Sequence, residues 1–171
     1  MTESTPKNPW QIFTAAPHRM MFFGGALQLV AAMLWWVIDL DTRYGAGTTL
    51  SWSISPLAVH LYLMIYGIFP FFMFGFLMTT FPRWMAWHEI PRKFFVPAFL
   101  LLLAGAVLFY AGLLHKALLA PSVALTLAGW AIGLFALFRV LRHSRSIDKR
   151  HPAIAWVALL LGWCGAAAWL V

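Results

Sequence analysis

Polar residues fall in short clusters along this chain, and long apolar runs separate them. Five runs are readable: residues 20–40, 56–81, 94–114, 117–140 and 152–171. Each has about the 20 residues that a helix needs to cross a hydrocarbon core. The pattern predicts an all-α fold, a polytopic transmembrane helix bundle of about five spans (20–171) behind a polar tail (1–19). In that tail Trp10, Ile12 and Phe13 are expected at the membrane surface, as interfacial aromatics are. Pro56 and Pro97 suit first helical turns, where a missing N–H costs nothing, and Pro121 falls early in its span. Pro70 falls inside a span and should kink it, freeing the carbonyl near Tyr66. Asp39, Asp41 and Arg43 mark water at the end of the first span, and the Gly- and Thr-rich loop beyond them is too polar to cross.

Composition agrees. Of 171 residues 63% are hydrophobic and 10% charged, against about 25% charged in soluble domains, and mean hydropathy is +0.81. The net charge of +7 would suggest nucleic acid in a soluble protein. Here the basic residues lie between spans, so they report topology, and membrane lipids rather than nucleic acid are the expected surroundings. Ten of the 12 Lys and Arg residues fall on the side of the N-terminus, leaving Arg43 and Lys116 on the other. The positive-inside rule then places the N-terminus in the cytoplasm of a multi-pass inner-membrane protein. Cys164 stands alone, so no internal disulfide forms, and it reads as a small core residue. The apolar run reaches Val171 with no polar anchor after it. This is read as a truncated product or the front part of a longer bundle, completed by self-association or by further helices.

Chemistry is sparse. The spans carry no intramembrane basic group or carboxylate of the kind that ion-coupled transport needs. There is no GxxxxGK[ST], HExxH or GxSxG motif, so ATP-driven and hydrolytic functions are disfavoured and the balance leans away from an enzyme. Gln28 reads as an interhelical hydrogen bond, and Gly129-x-x-x-Gly133 as a close helix approach. Histidines remain. A neutral imidazole is a strong ligand without a permanent charge, and it is the usual haem ligand in such bundles. His60 begins the second span and is open to two readings, an interhelical hydrogen bond or a haem or metal ligand. His115 ends the third span at similar depth. It reads as an interfacial residue, or as a second axial ligand if the two spans are neighbours. Met64 lies one turn from His60 on the same face and suits a soft metal or haem, or simply the core. His18 begins the first span, roughly 30 Å from His60, too far for both to bind one iron.

Two stretches carry a family resemblance. TAAPHRMMFFGGALQLVAAMLWW resembles the opening of NnrS family proteins, where Pro-His-Arg begins the first span. Pro56-Leu57-x-x-His60, continuing to Gly75-Phe76-Leu77-Met78-Thr79-Thr80-Phe81-Pro82-Arg83-Trp84, resembles that family's second span. The resemblance implies a longer inner-membrane protein that binds haem b and copper in bacterial responses to nitric oxide. The family's Trp-His-x-His-Glu is replaced here by Val59-His60-Leu61-Tyr62-Leu63. One histidine of that motif survives, which leaves His60 as the metal ligand that the resemblance implies. The alternatives are a small b-type cytochrome in electron transfer using His60 and His115, and a cofactor-free protein that packs against a partner.

Overall fold

The computed structural model describes residues 8–45 and 50–170; residues 1–7, with Lys7, residues 46–49 of the first loop, and Val171 lie outside them. A short helix, α1 (Pro9–Phe13), is followed by α2 (Pro17–Tyr44). The second rod is α3 (Pro56–Tyr62), a π-helical segment (Leu63–Ile68) and α4 (Phe69–Trp84). Then come α5 (Arg92–Leu114), a 3-10 turn (Lys116–Leu118), α6 (Leu119–His143), α7 (Arg150–Ala167) and a closing 3-10 turn (Ala168–Leu170). Among the described residues this gives five helices long and apolar enough to cross a membrane, as the periodicity predicts.

Prolines and short polar side chains set the starts. Pro17 and Pro56 occupy first turns, and Ser55 accepts the Ala58 N–H at 3.4 Å. The helix α5 starts at Arg92, two residues before the expected position, which puts Pro97 inside the helix rather than in its first turn. The rod of α3 and α4 runs on to Trp84, past Pro82. It stops in a left-handed turn at Ala86 (φ 46°), where the Trp87 N–H reaches back to the Pro82 carbonyl at 2.8 Å. That is a Schellman closure built without glycine, at a conformational cost of roughly 1 kcal/mol.

Pro70 does what its position predicts, with a specific geometry. Its missing N–H would strand the Tyr66 carbonyl, and the chain widens into the π-helical Leu63–Ile68 immediately before it. An i→i+5 turn absorbs the steric demand of the ring within the rod.

The closest pair is α5 and α6, with α2 lying along α4 and α7 chiefly on α6. Gly129 and Gly133 divide their work. A methyl group built on Gly129 would lie 2.8 Å from the Ala98 carbonyl oxygen of α5, whereas one on Gly133 would lie 2.5 Å from the Phe74 ring of α4. Gly129 therefore sets the α5–α6 spacing, and Gly133 makes room for an aromatic. The last span is held differently, because only 11% of its apolar window is buried. Its Trp156 and Trp163 indoles donate to the α6 carbonyls of Leu134 and Leu127, each at 2.9 Å. In an apolar medium such bonds have little competition from water.

The N-terminal segment folds onto the bundle. Phe13 meets Phe23 and Phe99 edge-on at 5.5 and 6.1 Å, while Trp10 and Ile12 stay exposed. Arg19 donates to the Ile12 carbonyl at 3.0 Å and ties the segment to the start of α2.

Gly129→Val should force α5 and α6 apart and lower stability by about 1–3 kcal/mol, the usual cost of overpacking. Leu161→Ala, at a side chain 67% exposed, should change it little. Thermal unfolding of both variants in one detergent checks this.

Candidate functional site

His60 follows Val59, which is fully buried in the core. One step round the helix, His60 is half-buried at the seam between α3 and α2. Its ring lies against Trp36, with centroids 4.5 Å apart and planes inclined at 37°. The Arg43 guanidinium lies 5.6 Å from the same indole. Among the described residues neither ring nitrogen of His60 makes a hydrogen bond, so its lone pair is free. The interhelical contact expected of His60 is therefore aromatic and not a hydrogen bond. Met64, one turn on, is half-buried against the core at this end of the bundle.

The other histidines lie elsewhere. His115 is exposed where α5 ends, and its ring does not touch that of His60. His18 is half-buried at the opposite end of the bundle, with its Nδ1 3.4 Å from Thr79 Oγ1. Thr79 lies roughly 28 Å further along the rod than His60 at 1.5 Å per residue, so the sequence-based separation of His18 and His60 agrees with the structure. Thr79 uses its one hydroxyl proton on the Gly75 carbonyl at 2.8 Å. In the long contact to His18, Nδ1 is thus the donor, and Nε2 carries the lone pair.

The structure adds groups that the sequence did not single out. Asp39, expected to face water, is 1% exposed. It pairs with Arg43 one turn later and accepts the Trp52 indole N–H at 2.9 Å. The helix runs on past the expected span end at residue 40, and the loop folds Trp52 over the carboxylate. The i,i+4 spacing of Asp39 and Arg43 was the available signal. Deeper in the bundle, Gln28 donates to the Tyr110 hydroxyl at 3.1 Å, and its amide nitrogen would lie 2.9 Å from a methyl group on Gly67. The interhelical bond expected of Gln28 is present, and Gly67, inside the π turn, makes room for it. Tyr62 stacks on Phe109 at 4.1 Å and donates to Thr126 at 3.4 Å. Tyr62, two residues after His60, is thus engaged with α5 and α6 and faces away from His60.

Five apolar spans joined by buried polar pairs define a multi-pass membrane protein, and at this end the His60 imidazole lies at a helix seam without a hydrogen bond among the described residues. A family model described as NnrS protein matches residues 12–171, nearly the whole chain. The chain belongs to the NnrS family. Comparison with curated proteins and with solved structures gives no match.

Arg43→Gln would leave the Asp39 carboxylate buried without its counter-ion and should cost about 3 kcal/mol. Adding Asp39→Asn should restore more than half of that loss. A double-mutant cycle on unfolding free energy in detergent measures the coupling, and additive losses would mean that the pair does not interact.

Proposed function

We propose that this NnrS-family protein binds a b-type haem through His60 and serves in tolerance of nitric oxide or nitrosative stress in the bacterial inner membrane. The family match over residues 12–171 carries the reading of its role. The free ring nitrogens of His60 support the choice of ligand.

The residues fit haem at one coordination position. His60 has an unengaged lone pair, and exposed Leu57 and Leu61 flank it on the outer face of α3, an apolar surface suited to a porphyrin. Trp36 fixes the ring from the α2 side. Met64 projects from the same helix face as His60 and is half-buried against the core. His115 is not in contact with His60, and His18 is at the other end. A haem held there by His60 would supply the chemistry of binding a diatomic gas. The role of the chain is to orient the imidazole with Trp36 and to surround it with apolar side chains that exclude water. Copper does not fit. Among the described residues no three His, Cys, Asp or Glu side chains converge, and His60 with Met64 makes only two donors.

The uneven distribution of Lys and Arg supports a cytoplasmic N-terminus. A periplasmic reporter fused in the loop after α2 should then be active, and a cytoplasmic one silent.

Spectra of the detergent-purified protein, oxidised and reduced, test the haem. The wild type should show a Soret band, and His60→Ala should abolish it while the protein still inserts. His88→Ala and His115→Ala should leave the spectrum unchanged. Equal haem content in wild type and His60→Ala removes His60 from the site, and loss in His18→Ala alone moves the site to the opposite end. A low-spin, six-coordinate reduced spectrum would favour electron transfer over gas binding.

A further inference from the structure

At the end of the bundle that carries the N-terminal segment, the α4–α5 loop and the last turns of α6 enclose a cleft of about 320 Å³. The left-handed turn at Ala86 sends Trp87 and His88 into its wall. Its floor is apolar, made by Ile90, Ala136 and Val140, all buried. Its rim is cationic. Lys93 Nζ lies 5.5 Å and Arg139 Cζ 5.0 Å from the centroid of the Phe94 ring. Both cations are exposed, and among the described residues neither makes an ion pair or a side-chain hydrogen bond. His143 stands beside them, its ring stacked on Trp87 at 6.3 Å. Its Nδ1 faces the Arg139 carbonyl at 2.9 Å; a carbonyl can only accept, so Nδ1 donates and Nε2 is left free. Glu89 is the one acid in the wall, and it pairs with neither cation.

Lys93 and Arg139 line the same cleft without an acidic partner, so its rim carries an uncompensated positive charge that an anion bound there would offset. The geometry points to a phosphate-bearing amphiphile as the ligand, specifically the headgroup of an anionic phospholipid. The apolar continuation of the cleft selects the lipid over a free ion. Phe94 meets Phe135 at 5.9 Å, and Phe135 and Phe138 are exposed on the face of α6, a span. A lipid phosphate held by Lys93 and Arg139 would therefore leave its acyl chains against α6, and the cleft lies where α5 starts and α6 ends, at one end of two spans. Basic pockets between spans bind lipid phosphates by this combination. The inference is independent of haem.

Native mass spectrometry of the full chain in a neutral detergent tests it, with phosphatidylglycerol or phosphatidylcholine added. The wild type should retain one phosphatidylglycerol in preference to phosphatidylcholine. Lys93→Gln with Arg139→Gln should bind it about twenty-five-fold more weakly, at about fivefold for each cation. Arg142→Gln with Arg145→Gln removes the same charge outside the cleft and should bind as the wild type does. Lys93→Arg with Arg139→Lys keeps the charge and should also retain the lipid, which separates charge loss from misfolding. Equal retention of the two lipids, or equal weakening in both Gln pairs, would overturn the proposal. Displacement of the lipid by millimolar inorganic phosphate would assign the site to the free anion and overturn the lipid.

Discussion

A backbone inside hydrocarbon must satisfy its own polar groups, because no water is there to do so. The second rod meets that demand at its weakest point, Pro70, by widening into the π turn Leu63–Ile68. Much of this end of the bundle follows from that accommodation. The turn lets Gly67 come against Gln28, whose amide then bonds Tyr110 across to α5. It also sets the direction in which α3 leaves α4. Tyr62 thereby stacks on Phe109 and reaches Thr126, while His60 is left against Trp36 at the seam with α2.

Polar groups in this bundle are few, and several buried ones are matched across helices, although the Trp35 and Trp130 indole N–H groups are buried without a partner. The Asp39 carboxylate has both Arg43 and the Trp52 indole. The two indoles of α7 take carbonyls of α6 that already serve their own helix. In hydrocarbon an apolar helix gains little by packing on another, so these directional bonds fix the position of a span whose apolar surface is mostly uncovered. His60 differs from these groups in being half-buried at the α2 seam, with ring nitrogens that make no hydrogen bond among the described residues.

The two ends of the bundle are chemically distinct. One gathers tryptophans, a buried ion pair and a histidine with a free lone pair, a surrounding that suits a flat aromatic cofactor. The other gathers unpaired cations around Phe94 above an apolar helix face, a surrounding that suits a charged headgroup. The proposed haem and lipid sites thus lie at opposite ends of the bundle, and substitutions at one leave the residues of the other in place.

The sequence by itself determined the helical class, the number of spans and their approximate limits, because the need to bury some 20 residues in hydrocarbon is written locally in composition. It also carried the family, through Pro17-His18-Arg19 and the Gly75–Trp84 stretch, and it located the strained proline. The partner of each polar group was decided only by the tertiary structure. Asp39 read as a water marker because burial depends on Trp52 folding back over it from a loop. The different tasks of Gly129 and Gly133 depend on which helix faces each one. The cleft at Phe94 joins residues from α5 and α6 that lie far apart in the chain. Hydropathy is a property of a segment, whereas a hydrogen bond, an ion pair or a cleft is a property of two segments. Their relative placement is fixed by packing that no single stretch of sequence contains.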